Sequence, residues 1–206
     1  NPLSPKKSAA EKQETYTLWK KVAVGCIPIV IAGLPLDTVL EDYLSSVYII
    51  AATLILYGIA FLVIESRKKQ PTMDSLEALT YQAAFFIGCF QVLAAIPGTS
   101  RSGATILGAV ILGCSRYVAS EFSSFLAIPV MAGASGLKLL KYFLKTGMFS
   151  GEEWILLLIG TFVSFVVSIF AIRMLLGYIR KHDFKIFGVY RIILGMIVIL
   201  YFAFLG

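Results

Sequence analysis

Ile96-Pro97-Gly98-Thr99-Ser100-Arg101-Ser102-Gly103-Ala104-Thr105 is the stretch on which the reading of this chain turns. It is a polar break inside apolar sequence: residues 78–96 and 102–115 carry no charge, so Arg101 stands alone between two uncharged arms. An arginine at the centre of the hydrocarbon costs about 2.5–3.5 kcal/mol on insertion-based scales, which drives such residues toward a polar cavity or a bound partner. Pro97 stops the incoming helix. A second helix can start just after Arg101, with its first backbone N–H groups pointing back at the loop. Unpaired N–H donors, the positive end of a helix and a forked guanidinium together make an anion site. The plainer alternative is a helix–break–helix that only packs, with Arg101 reaching to water. A nucleotide-binding P-loop is excluded. Gly98 and Gly103 have its glycine spacing, but Ala104 stands where the lysine is required, and the preceding element reads as an apolar helix rather than a strand.

Working outward, composition sets the class. Of 206 residues, 58% are hydrophobic and 15% charged, and the mean hydropathy is +0.85. This is far more apolar surface than a soluble domain of that size needs, and it implies an all-α polytopic membrane protein. The net charge of +6 does not point to nucleic acid, because the basic residues cluster in short loops beside apolar spans, as positive-inside topology requires. Cys26, Cys89 and Cys114 all lie in apolar stretches without paired spacing and read as buried thiols. Residues 1–21 are polar and Lys-rich, with no apolar h-region, so no signal peptide is expected.

Along the chain, 1–15 reads as a polar cytoplasmic loop and about 16–36 as the first span, with Lys20 and Lys21 able to snorkel at its start. Asp37, Glu41 and Asp42 make an acidic connector, 47–64 is a second span, and 66–76 is a polar loop in which Asp74 or Ser75 is the expected helix N-cap. The arms on either side of Pro97-Gly98 read as a re-entrant helical hairpin over 77–115, tolerated only where its turn is enclosed by protein or lines a cavity. Gly108, Gly113, Ala104 and Ala109 would let neighbouring helices approach closely. Three more spans follow at about 118–145, interrupted by Pro129 and Gly133, then 154–176 and 184–205. If the hairpin returns to its starting side, residues 1–21, 66–69, Arg116 and 173–185 share one strongly basic face, which is then cytoplasmic.

Other polar residues carry competing readings. His182, the only histidine, sits in a solvated basic loop with no catalytic partner near it in sequence. Arg173 and Arg191 lie near span ends and read as snorkelling. Glu121, beside Ser120, Ser123 and Ser124, either complements a helix N-terminus or belongs to the site. Phe85, Phe86 and Phe90 could line a groove for a long apolar ligand, although a lipid-facing or core role is the plainer reading.

The motif 97–105 resembles the proline-glycine-x-serine-arginine-serine-x-x-threonine signature of the undecaprenyl-pyrophosphate phosphatases, the bacitracin-resistance family. The likeness extends back through residues 80–91, forward through 114–123 and Ala127-Ile128-Pro129, and to Tyr190-Arg191, covering the chain from Tyr16 onward. It implies an inverted-repeat architecture, each repeat a re-entrant hairpin plus three spans. On that plan 16–65 holds the last two spans of the first repeat and 77–206 is the complete second repeat. The family's earlier motif, with two glutamates four apart, has no counterpart in these residues; Gln91-x-x-x-Ala95-Ile96-Pro97 keeps its layout without its acids. The resemblance therefore implies an N-terminal segment of the same protein that supplies the acids, and the 206 residues by themselves are expected to bind anion weakly and hydrolyse nothing.

What the resemblance implies for function is hydrolysis of undecaprenyl pyrophosphate to the monophosphate in the bacterial plasma membrane, recycling the cell-wall lipid carrier. Ser100, Arg101 and Thr105 are the expected catalytic residues, with Gly98, Thr99, Ser102, Gly103 and Gln91 contacting substrate. Arg101 can pair bidentately with phosphate, and N–H groups near Ser102 and Gly103 can hold developing negative charge. Ser100 is either nucleophile or hydrogen-bond positioner. A divalent cation, Mg²⁺ or Ca²⁺, is expected, with its ligands outside this chain. Expected partners are the polyprenyl pyrophosphate, membrane lipid and the N-terminal segment, with a homodimer left open and nucleic acid excluded. The competing class is an inverted-repeat transporter that carries a lipid phosphate across the bilayer.

Overall fold

The computed structural model describes the backbone of residues 9–44, 46–66, 70–179 and 184–204, and the side chains of these except at 9–10, 33–44, 175–176 and 179. The side chains of Asp37, Glu41 and Asp42, the basic residues 67–69, and the loop carrying His182 lie outside that description. Among the described residues there are seven α-helices: α1 Ala9–Leu44, α2 Val47–Ser66, α3 Tyr81–Val92, α4 Arg101–Ile111, α5 Arg116–Thr146, α6 Gly151–Ile179 and α7 Lys185–Phe204. A single 3₁₀ turn, Leu93–Ala95, follows α3. Five helices hold segments long and apolar enough to cross a membrane: Glu11–Ala32, Val47–Ser66, Arg116–Thr146, Gly151–Met174 and Lys185–Phe204.

Several expectations need correction. The acidic stretch 37–42 is no loop, since α1 runs on through it to Leu44. Pro129 does not interrupt α5, which stays helical across it; membrane helices absorb a proline where neighbouring groups re-satisfy the freed carbonyl. The N-cap of α3 is Thr80, whose hydroxyl accepts from Ala83 N at 3.0 Å, while Ser75 caps only a turn by accepting from Ala78 N at 3.2 Å. Lys21 does not reach for water. It is 5% exposed, and its Nζ donates to the carbonyls of Leu76 and Glu77, at 2.9 Å each, pinning the 70–80 segment to α1.

Packing divides the chain into two compact units, Asn1–Leu126 with Asp183–Gly206, and Ala127–His182. In the first, α1 lies on α3 and α2 on α7. Small residues set both crossings: a methyl on Gly88 would run into the Gly25 backbone, and one on Gly188 would press on the Gly58 carbonyl at 2.8 Å. With little hydrophobic driving force between helices in lipid, such close backbone approach is the main source of van der Waals gain. At one end of α2, buried Glu65 pairs with Arg116 of α5 and accepts the Phe184 N–H at 3.3 Å, joining three helix ends. In the Ala127–His182 unit, Tyr142 stacks on Phe149 at 4.6 Å, and Ser150 and Glu153 form a reciprocal cap at the start of α6.

The stretch 78–115 is two short helices rather than one. Ile96 is extended (φ −74°, ψ 121°), as the residue before a proline must be, and Gly98 turns the chain at φ +84°. There the loop meets α2: Thr53 Oγ1 donates to the Pro97 carbonyl at 2.9 Å. Phe90 of α3 lies over Gly108 of α4. At the open end, Thr72 N and Met73 N donate to Gly113 O at 2.8 and 3.0 Å, and Ser115 N returns a bond to Met73 O at 2.9 Å. The segment before α3 and the residues after α4 are therefore joined by main-chain bonds.

Candidate anion site at the hairpin turn

Ser100 starts α4. It is extended and accepts Gly103 N at 3.1 Å with its hydroxyl, while its carbonyl takes Ala104 N at 2.8 Å. This corrects one expectation: the Gly103 N–H is spent on the cap, so the N–H groups of Arg101 and Ser102 are the ones left at the helix start. Ser102 is exposed there, its Oγ 3.2 Å from Ser100 Oγ.

Arg101 turns into protein. One guanidinium nitrogen, Nη2, donates to Gln91 Oε1 of α3 at 2.5 Å, and Nη1 reaches the Ser123 carbonyl of α5 at 3.4 Å. Thr105, one turn on, is fully buried and also faces α5. Its hydroxyl lies 3.1 Å from the carbonyls of Arg101 and Ser102 and 2.6 Å from Ser123 Oγ. The structure thus brings Gln91, Arg101, Thr105 and Ser123 together on one face of α4, with Ser123 the member that sequence reasoning named only as a neighbour of Glu121. Thr105 is placed to brace the first turn rather than to present its hydroxyl beside Ser100.

On the other face stands a residue that was read as snorkelling. Arg191 of α7 brings Nη2 within 3.4 Å of where a Gly103 side chain would begin, beside Ser100. Tyr57 of α2 meets both Thr99 and the Arg191 charge. The signal was the pair Tyr190-Arg191, one of the points of family likeness, but position near a span end favoured the interfacial reading. Arg173, by contrast, is exposed.

The electrostatics are one-sided. Arg101 Nε, Arg191 Nη1 and Gln91 Nε2 are all buried donors with no hydrogen-bond partner, and among the described residues no carboxylate pairs with either arginine. An unsatisfied buried donor costs about 1–3 kcal/mol, more when charged, so this cluster gains most from an anion. Its donor set of guanidinium groups, hydroxyls and one amide does not fit a hard divalent cation, which takes carboxylate and carbonyl oxygens. Among the described residues no three His, Cys, Asp or Glu side chains gather to hold one. Glu121 is half-buried on α5.

Residues 2–197 match the model of the family described as bacitracin resistance protein BacA. The chain belongs to that family. Among its relatives in the family, the undecaprenyl-diphosphatase of Limosilactobacillus fermentum is 56% identical over 208 residues, covering 100% of this chain and 75% of that protein. Those of Lactiplantibacillus plantarum and Enterococcus faecalis are 54% and 53% identical, over 98% and 99% of the chain and 74% and 75% of the relatives.

Proposed function

We propose that this chain is an integral-membrane undecaprenyl-diphosphatase, releasing inorganic phosphate from undecaprenyl pyrophosphate and so recycling the lipid carrier of the bacterial cell wall. The relatives' names support the reaction and substrate. The residue roles rest on one observation: unpaired buried guanidinium donors from α4 and α7 flank the N-terminus of a helix that carries exposed Ser102 and the capping hydroxyl of Ser100. Such a cluster grips phosphate and stabilises the charge that develops on the transferred phosphoryl. Arg101, oriented by Gln91 and the Ser123 carbonyl, supplies a fork; Arg191 supplies a second cation. Gly98 and Thr99 shape the turn, Gly103 leaves room for Arg191, and Thr105 holds the first turn of α4 in register.

We read α3 and α4 as a re-entrant hairpin. At 1.5 Å per residue they are only about 18 and 16 Å long, short of a hydrocarbon core of roughly 30 Å, and their ends meet through Gly113 and residues 72–73. A hairpin that returns to its starting side supports the basic face as cytoplasmic and a multi-pass placement in the plasma membrane. The inverted partner repeat belongs to the same proposal. The transport alternative draws nothing from the relatives, all of those named being phosphatases.

Arg101→Lys tests the reading. In the intact protein, phosphate release from undecaprenyl pyrophosphate is expected to fall by about 10²-fold although charge is kept, because an ammonium cannot reproduce the fork. Wild-type turnover in this variant would remove Arg101 from the site.

A further inference from the structure

Gln91 was expected to touch substrate, but its geometry gives it another task. It sits on the last turn of α3, 1% exposed, and its amide oxygen takes the strongest bond that Arg101 makes, 2.5 Å from Nη2. The second acceptor on that guanidinium, the Ser123 carbonyl, is distant at 3.4 Å. Both acceptors are neutral. They can fix the plane of the fork without cancelling its charge, which a carboxylate in the same position would do by forming a buried ion pair.

We infer that Gln91 is a positioning residue that aligns the Arg101 fork, and that its neutral amide, in place of a carboxylate, leaves the guanidinium charge free for the diphosphate. The inference rests on the phosphatase reading for its ligand, but not for its geometry. An Ala at this position leaves the fork with only the long Ser123 contact. A Glu keeps the acceptor and the volume but sets a competing anion against the phosphate. The two changes are therefore separable: one loosens Arg101, the other occupies it.

The groups that could titrate alongside a Glu at 91 are few. Arg101 faces it from α4, Cys26 of α1 faces Arg101, and Glu121 of α5 lies two residues from Ser123. A carboxylate bonded to Arg101 is kept charged by that pairing well below neutral pH, so it opposes the phosphate throughout the range from about pH 5 to pH 8. A merely loosened arginine keeps its charge and loses alignment, so the two variants differ in which constant moves.

The experiment uses the intact protein in detergent, as wild type, Gln91→Ala and Gln91→Glu. Gln91→Met, which fills the space without an acceptor, replaces the Ala variant should that one not be recovered folded. Phosphate release from undecaprenyl pyrophosphate gives kcat and KM from about pH 5 to pH 8, and inorganic pyrophosphate binding is measured in parallel by calorimetry. Gln91→Glu is expected to raise KM and the pyrophosphate Kd by about 10- to 100-fold across that range; Gln91→Ala is expected to lower kcat about 10-fold with a smaller change in KM and Kd. Equal losses falling on the same constant in both variants, or a Glu variant with wild-type KM and Kd, would overturn the inference. Should the wild type release no phosphate, the phosphatase reading falls, and the pyrophosphate affinities of the variants still decide the role of Gln91.

Discussion

A methyl group added at Gly88, Gly98 or Gly108 would strike a neighbouring helix, whereas at Gly133, Gly160 or Gly177 it would meet no described atom within 4 Å. The first three belong to the α3–α4 hairpin; the others belong to the Ala127–His182 unit. Both regions are rich in glycine and apolar residues, and by composition they are alike. The hairpin glycines, however, alternate with Gln91, Thr99, Ser100, Arg101 and Thr105, whose hydrogen bonds draw elements together. In the second unit Gly133 stands between Ala132 and Ala134, and Thr161 beside Gly160 donates within its own helix, to Leu157 O at 2.7 Å, rather than to another element. In a membrane chain a glycine is a packing residue where polar groups hold helices close, and otherwise an interval in a helix.

The sharpest way to break this comparison is Gly98→Ala. The left-handed backbone there costs an L side chain about 1–2 kcal/mol, and the new methyl would also press into Thr53 Oγ1 and the Ile50 carbonyl. Loss of folded protein on size exclusion, or loss of nearly all phosphate release, is expected. Arg191→Gln comes next. It removes the charge on the Ser100 side of α4, and kcat/KM is expected to drop by about 10²-fold with little change in melting temperature; unchanged kinetics would return Arg191 to the interfacial role. Ser123→Ala is milder, since Thr105 keeps two carbonyls as acceptors. A destabilisation of about 1 kcal/mol, read from the melting temperature, and a few-fold loss of activity are expected. The smallest effect belongs to Gly160→Ala. Inside a helix with open space around it, alanine is neutral or stabilising by about 0.5–1 kcal/mol, and activity stays at wild-type level. Were Gly160→Ala as damaging as Gly98→Ala, the distinction between the two regions would collapse.

Much of the fold was legible because its signals are local. The spans follow from uninterrupted apolar runs, and the break at Pro97-Gly98 follows from chain stereochemistry. Ser100 as the start of α4 follows from cap chemistry. Boundaries were lost where a local cue was ambiguous: the acids at 37–42 resembled a loop, and Thr80 competed with Asp74 and Ser75 as a cap. At the site, Arg101 stood out because a lone charge in an apolar run is costly wherever it lies. Arg191 carries the same charge 90 positions further along, and near a span end the cost no longer decides whether it faces water or protein. Ser123 was noticed only as a neighbour of Glu121. Its partnership with Thr105 is a contact between helices, which neither periodicity nor spacing reveals.

The bonds between Thr72, Met73, Gly113 and Ser115 close the hairpin into a ring through main-chain atoms, with the Thr72 hydroxyl adding a longer bond to Gly113 O at 3.3 Å. The peptide-group bonds are indifferent to side-chain identity, so position 73 is free to drift in sequence, provided proline stays away from the donating nitrogen. Thr72 and Ser115 are held by their hydroxyls as well, the first donating to Gly113 O and the second accepting Val118 N at 3.3 Å. The ring spans 41 positions from Thr72 to Gly113. Any inserted residue that lengthens one arm must be matched by the other, or the turn bearing Arg101 would shift in depth relative to α2 and α7. Substitution is therefore cheap at Met73, and a change of length is costly anywhere between the two halves of the clasp.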